Sequence, residues 1–254
     1  MNRTLEQTVA LVTGSSSGIG EASALALAKA GAAVALVARR EARLQSLARR
    51  IEEDGGRALV ICADITAEAQ AREAVEQTVK HFGRLDTLVN NAGVMLLGPI
   101  AGANVEEWRR MMELNVMGLL YCTHAAVPHL LEAAQQEPRR VADIVNVSSV
   151  AGRLVRMGSG VYNATKHAVG AFSESLRQEL SARHVRVSLV EPGATDTELR
   201  SHNRPEIVSA LMARLGDIKR LESEEIADAV CYLVTRERHV AINEMLIRPT
   251  QQVT

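Results

Sequence analysis

Aromatic side chains are scarce in this chain, with one Trp, three Tyr and two Phe in 254 residues. Little is left to build a stacking platform for bases or flat rings, so Met, Leu, Ile, Val and Ala must supply the core and any pocket. Charge of one sign is also lacking. Twenty-nine Lys and Arg against 30 Asp and Glu leave a formal net charge of −1, which offers no field to draw DNA, RNA or an anionic membrane. Cysteines are few. Cys62, Cys122 and Cys231 are odd in number and lack metal-ligand spacing, so neither a disulfide framework nor a metal site is expected, and all three read as buried small apolar residues. No apolar run reaches the ~18–20 residues that a bilayer span needs. The chain also arrives at Val9 without a basic segment, a long hydrophobic region or a small-residue cleavage site. A soluble cytoplasmic protein with no membrane or nucleic-acid partner is the expectation.

What is present is an ordinary globular composition, 47% hydrophobic and 23% charged, arranged in a rhythm. Short apolar or β-branched runs are expected as strands at Val9 to Thr13, Ala33 to Ala38, Ala58 to Cys62, Thr87 to Asn90, Asp143 to Ser148, Arg186 to Glu191 and Ala241 to Ile247. Between them, helical spacing places helices near Ile19 to Ala30, Glu41 to Asp54, Ala67 to Phe82, Val105 to Leu131, Tyr162 to Ala182 and Ser223 to Val234. Strands such as VALVTG and DIVNVSS are apolar on both faces, as in a parallel sheet covered by helices on each side. The expected fold is α/β: a doubly wound Rossmann fold with a seven-stranded parallel sheet in a single domain, residues 1–254. No linker or fixed repeat divides it. Residues 194–222 break the rhythm and read as an insertion able to cover a substrate, and the polar QQEPRR segment, Gln135 to Arg140, reads as a solvated loop.

The first strand runs into TGSSSGIG, Thr13 to Gly20, at the start of a helix. Gly14, Gly18 and Gly20 permit a sharp turn and close approach of a pyrophosphate, and the N–H groups from Ser16 and Ser17 through Ile19 face the same anion at a helix N-terminus. No Lys follows the last Gly, which excludes the nucleoside-triphosphate loop. In this fold an acid about 20 residues beyond the turn binds a ribose 2′-hydroxyl, whereas Arg accommodates a 2′-phosphate. Here the second strand ends in Arg39 and Arg40, which favours NADP(H). The plainer reading makes them solvated charges, one of them neutralised by Glu41.

TGSSSGIG, Asn90-Asn91-Ala92-Gly93, Ser149 and Tyr162-Asn163-Ala164-Thr165-Lys166 stand in the order and spacing of the short-chain dehydrogenase/reductases, and nearly the whole chain resembles that family. The segments NNAGVMLLGP, EPGATDTELR and IRPTQQV are similar to a subgroup of NADPH-dependent aldehyde reductases that includes clavulanic acid dehydrogenase. The resemblance implies a homotetramer and further roles. Asp64, with Ile65 beside it, would bind the adenine amine, and Asn91, Ala92 and Gly93 would pass under the adenine ribose. Pro192, Gly193 and Thr195 would flank the nicotinamide, and Asn115 would hold a water in a proton relay. The chain departs from a second NADP pattern of the family, having Ser17 rather than Lys or Arg before Gly18, which leaves a 2′-phosphate chiefly to Arg39 and Arg40.

The chemistry of these residues suits carbonyl reduction, which needs a proton for the oxygen as it becomes an alkoxide. Tyr162 is the candidate acid. A free phenol titrates near ~10, too high for efficient two-way exchange, and Lys166, four residues on along the same helix face, can favour the phenolate. Ser149 closes the preceding strand at the sheet edge that binds ligands and can polarise the substrate oxygen, while alternation turns Ser148 the other way. Met95, Leu96, Leu97, Leu154, Val155 and Met157 are candidate pocket walls, and Arg153 and Arg156 are candidates for a substrate carboxylate. His124, His129 and His167 read as packing or surface residues. The expected function is NADP(H)-dependent interconversion of an aldehyde or ketone and its alcohol, with Asn115, Ser149, Tyr162 and Lys166 as the catalytic group and no metal. An NAD-linked alcohol dehydrogenase and a non-catalytic cofactor sensor are the alternatives.

Overall fold

Alternate residues along each strand face opposite sides, and here both sides are apolar. In β1 (Val9–Thr13), Val9 and Leu11 enter one buried cluster while Ala10 and Val12 enter another. β2 (Ala33–Ala38) divides in the same way. This two-sided burial is what a sheet between two helical layers demands. The computed structural model describes residues 4–253, apart from the side chains of Arg214 and Leu215. β1, β2, β3 (Arg57–Cys62), β4 (Thr87–Asn90), β5 (Ala142–Val147), β6 (Val185–Pro192) and β7 (Glu244–Ile247) form one sheet in the order β3-β2-β1-β4-β5-β6-β7. Every pairing is parallel. Side chains of α1 (Gly18–Lys29), α2 (Glu41–Glu53) and α8 (Ser223–Val234) fill one cluster. Those of α3 (Glu68–Phe82), α5 (Leu119–Ala133) and α6 (Gly160–Leu180) fill the other. The strand order reverses between β1 and β4, so their carboxyl ends flank the crevice where this fold binds ligands.

The departures from expectation are local. The long helix expected from Val105 to Leu131 is α4 (Val105–Met112), a π-helical segment (Glu113–Gly118) and then α5. The segment turns Asn115 and Gly118 inward, and a Cβ at Gly118 would lie 3.1 Å from Ile65. Residues 194–222 hold no strand, but an isolated bridge between Thr195 and Leu221 closes a loop that contains a 3₁₀ turn (Glu198–His202) and α7 (Pro205–Leu215). Pro205 sits in the first turn of α7, where its missing N–H costs nothing. Cys62 is exposed rather than buried, because β3 is an edge strand; Cys122 is buried and Cys231 half-buried. Arg139 of the QQEPRR segment is not solvated but turned inward onto Asp143 at 2.9 Å. No helix among the described residues is long and apolar enough to cross a membrane.

Candidate active site

The β1–α1 turn is fastened before any ligand arrives. Gly14 has a left-handed φ of +66°, and its N–H donates to the Val37 carbonyl at 2.8 Å. A Cβ there would lie 2.7 Å from Ala92 Cα, so the close packing of this turn against Asn91 and Ala92 requires glycine. Thr13 Oγ1 accepts the N–H groups of Asn91 and Ala92 at 3.0 and 3.1 Å, and Asn91 Nδ2 donates to the Thr13 and Gly14 carbonyls. Asn91 to Gly93 are thereby stitched across the switch point. Gly18, φ +58°, opens α1; a Cβ there would stand 3.2 Å from Thr197 Cγ2. Ser17 at the N-cap makes no side-chain cap, so the first amides of α1 keep their donors for an anion.

Beyond the turn the floor of the cleft is cationic. Arg40 gives Nε and Nη2 to Ser16 Oγ at 3.0 and 2.8 Å and Nη2 to Ser17 Oγ at 2.6 Å. Arg39 stands 3.7 Å from Asp64. Burial works to raise the Asp64 carboxyl, but hydrogen bonds from Thr66 and the charge of Arg39 hold it below the ordinary value. Among the described residues Glu41 neutralises neither arginine. That place is taken by Asp64 and by Glu198, whose carboxylate lies 2.8 Å from Arg40.

The catalytic candidates meet at the carboxyl ends of β4, β5 and β6. Ser149 follows β5; its Oγ accepts the Ala151 N–H at 3.1 Å and stands 3.5 Å from the Pro192 carbonyl. Tyr162 lies in the first turns of α6, 6% exposed, with its hydroxyl close to Ser149. Burial pushes its hydroxyl up to about 12, with Ser149 acting in the opposite direction. Lys166 is one turn further on, also 6% exposed, with Nζ donating to the Val147 carbonyl at 2.9 Å and 5.9 Å from the Tyr162 ring centre. Burial lowers its ammonium to about 8. Ser148 turns away, 3.3 Å from the Lys166 carbonyl. Asn115 is buried behind this group. Its side chain accepts from Val94 N and donates to Val94 O, each at 2.8 Å, and reaches Thr165 Oγ1 at 3.2 Å.

All of the catalytic and cofactor-binding candidates except Gly20 and Asn115 line one cleft of about 400 Å³, Pro192, Gly193 and Thr195 among them. Gly20 packs beneath it; a Cβ there would lie 2.4 Å from Asn91 Nδ2. Met95, Leu97 and Leu154 line the cleft, whereas Leu96 is buried behind it and Val155 and Met157 project outward. Arg156 also lines it. Arg153 does not: its fork grips the buried Glu191 at 2.7–2.9 Å and meets Glu244, which pins the loop after Ser149 to β6. Of the histidines set aside, His124 and His167 are exposed and His129 pairs with Glu76. Thr197, Glu198, Leu199, His202, Arg220 and Gln252 line the cleft without having been singled out in the sequence. Five of the six lie between Thr195 and Leu221 or beside them, where no periodicity marked them. Gln252 comes from the C-terminal tail, its Oε1 accepting from Ala194 N at 2.8 Å. Among the described residues no group of three or more His, Cys, Asp or Glu could hold a metal.

Comparison with known proteins agrees with this geometry. The family model described as short chain dehydrogenase matches residues 8–207. An uncharacterized oxidoreductase of Staphylococcus epidermidis is 37% identical over 245 residues, 96% of this chain and 98% of its own length. Among solved structures, the closed form of serine dehydrogenase complexed with NADP⁺ superposes with a TM-score of 0.88 at 31% identity, covering 97% of both chains. A 3-ketoacyl-(acyl-carrier-protein) reductase from Brucella melitensis complexed with NADH gives 0.84 at 32% identity, covering 96% of this chain and 97% of its own. With the sheet order, the glycine turn and the Ser, Tyr and Lys group in one cleft, these matches establish that the chain belongs to the short-chain dehydrogenase family of oxidoreductases.

Proposed function

We propose that the chain is an NADP(H)-dependent oxidoreductase that reduces an aldehyde or ketone to its alcohol, reversibly, in the cytoplasm. One observation carries the reading: Ser149, Tyr162 and Lys166 converge in a cleft that is also lined by the glycine turn and by Arg39 and Arg40. The residues fit a dinucleotide. Gly14 lines the cleft at the turn, the first amides of α1 are uncapped, and the guanidiniums can take a 2′-phosphate. When bound, such a cofactor supplies or accepts the hydride. Neighbours complexed with NADP support the same choice.

The protein's own part is positioning and proton transfer. Ser149 Oγ and the Tyr162 hydroxyl, close to each other at the sheet edge, are the two donors for a carbonyl oxygen, and Tyr162 gives up its proton as that oxygen gains charge. Burial alone would make Tyr162 too weak an acid. The Lys166 ammonium, held 5.9 Å from the Tyr162 ring centre by the Val147 carbonyl, acts in the direction of the phenolate, as a nearby positive charge does. Asn115 fixes the β4 extension against α6; its side chain is committed to Val94 and Thr165, so a water in the relay would be held by its main chain. Residues 194–222 cover the substrate end, with Leu199 and Leu211 facing Met95, Leu97 and Leu154 across the cleft. The exposed Tyr232 of α8 and Leu246 of edge strand β7 are surfaces that a homotetramer would cover.

The NAD-linked reading has two observations in its favour, the carboxylate of Glu198 on Arg40 and a neighbour complexed with NADH. Consumption of NADPH and NADH, measured side by side with a panel of aliphatic, aromatic and carboxylate-bearing aldehydes and ketones, decides between the two. NADPH-selective turnover is expected. Tyr162→Phe is expected to lower kcat by about 10²–10⁴-fold, the usual span for a lost general acid, while NADPH binding is retained. Equal turnover by the two proteins would leave the mechanism without its acid.

A further inference from the structure

The arginines at the end of β2 are already holding an anion. Glu198, in the 3₁₀ turn that follows Thr197, places Oε2 2.8 Å from Arg40 Nη1 and Oε1 2.5 Å from Arg43 Nη1. The same Arg40 guanidinium carries Ser16 and Ser17 on its other edge. Two guanidiniums thus hold one carboxylate, and one of them is braced by two hydroxyls, at the place where the sequence puts a 2′-phosphate. Hydrogen bonds from Arg40 and then Arg43 hold the Glu198 carboxyl down to about 2, so it remains an anion at any working pH.

We propose that Glu198 is a resident competitor of the cofactor's 2′-phosphate, that Arg43 is a ligand of that phosphate alongside Arg40, and that Glu198 thereby sets how strongly the protein prefers NADP(H) over NAD(H). The inference rests on the cofactor reading above. Its logic is electrostatic. A phosphate monoester brings close to two negative charges and three acceptor oxygens, against one charge and two oxygens on Glu198, so it is the better partner for two forks. The pair it must displace is weakly held: Arg40, Arg43 and Glu198 keep 44, 50 and 41% of their side-chain surface exposed. An NAD(H) ribose has a neutral hydroxyl there and offers no charge to compete with, so Glu198 keeps its partners. Position adds a consequence. Glu198 stands three residues beyond Thr195, in the segment closed by the Thr195–Leu221 bridge, so its exchange for phosphate frees that segment's first turn from α2 only when the phosphorylated cofactor enters.

The test is a set of dissociation constants for the full-length protein, measured by titration calorimetry, which needs no turnover. The probes are NADPH, NADH, adenosine 2′,5′-bisphosphate and 5′-AMP. Glu198→Gln, which keeps size and removes charge, is expected to tighten NADPH and the bisphosphate by about two- to fivefold, the scale of removing an exposed competing ion pair. NADH and 5′-AMP should be unmoved. Arg43→Gln is expected to weaken the two phosphorylated probes by a similar factor and to leave the other two alone. If Glu198→Gln leaves the phosphorylated probes unchanged or weakens them, Glu198 is not a competitor and the inference fails. A wild type that prefers NADH, joined to a Glu198→Gln protein that takes NADPH, would overturn the cofactor reading while supporting this one. No response of any probe to either substitution would overturn the inference even if wild type is NADPH-selective.

Discussion

The two ends of the parallel sheet handle charge in opposite ways. At the amino end, Asp86 and Asp143 are buried, and each is met by matched donors. Asp86 takes the Val9 N–H at 2.8 Å and the Arg84 fork at 2.6 and 2.9 Å. Asp143 takes Arg186 at 2.7 and 3.1 Å and Arg139 at 2.9 Å. The surplus positive charge of Arg186 points at the carbonyls of Val234, Arg236, Glu237 and Val240, just past the negative end of the α8 dipole. At the carboxyl end, Lys166 is equally buried, but among the described residues it meets a lone carbonyl and no carboxylate, and its ammonium is destabilised. Tyr162 beside it is pushed the other way. A buried charge with matched partners holds the fold, whereas one left short of partners keeps free energy available for chemistry.

The largest way to break this comparison is Asp143→Ala. It would leave the buried guanidiniums of Arg186 and Arg139 without their carboxylate, a change that costs about 3–5 kcal/mol in such sites. For a chain of this size a fall in Tm of roughly 10 °C or more is expected. Thermal unfolding followed by circular dichroism reads it directly. A fall of only a degree or two would mean that the amino end is not the anchor described here.

That foundation was only partly legible in the sequence. Strand positions were, because two-sided burial writes unbroken apolar runs, and β1, β2 and β4 fall at their expected residues. The glycine turn was legible because a left-handed φ at Gly14 and a close approach at Gly20 leave a residue-type signature. Asp143 and Arg186 were read only as strand ends: one acid and one arginine 43 positions apart carry no mark of being a pair. The π-helical segment was hidden because one inserted residue scarcely disturbs the apolar period on either side. Arg39 and Arg40 were assigned by position in the fold, but Glu198 and Arg43 were not, since the pairing of a lid residue with a helix residue 155 positions away is a tertiary fact.

A change of opposite sign is expected at the carboxyl end. Lys166→Met removes a buried ammonium whose value falls from 10.5 unfolded to about 8 folded. Below pH 8 both states hold the proton, and the cost of burying the charge is present in full. Between 8 and 10.5 the folded state has released its proton while the unfolded state keeps it, so wild-type stability rises with pH; above 10.5 the cost has gone. The variant should therefore be the more stable protein at pH 7, by roughly 2 kcal/mol once the lost bond to Val147 is deducted, while losing the activity proposed for it. Its advantage should shrink to nothing as the pH approaches 10.5. Denaturant unfolding of both proteins at pH 7, 8.5 and 10 checks the trend, and a variant less stable than wild type at pH 7 would contradict it.

The smallest effect should come from the cluster that looks most like the Asp143 triad. Glu198 with Arg40 and Arg43 has the same make-up, one acid between two guanidiniums, yet those side chains are 41–50% exposed where the Asp143 triad is at most 10% exposed. Water and salt screen the exposed pairs, and holding two long side chains in place costs entropy that offsets most of the attraction. Glu198→Ala is therefore expected to change stability by less than about 1 kcal/mol, a Tm shift of no more than roughly 3 °C, and to lose even that in 0.5 M salt. Identical stoichiometry at the two ends would then give a large effect where the charges are dry and almost none where they are wet. Such indifference is also what lets an arriving phosphate take the arginines from Glu198. A destabilisation comparable to that of Asp143→Ala would place Glu198 with the foundation of the fold and leave it unable to yield its partners to a ligand.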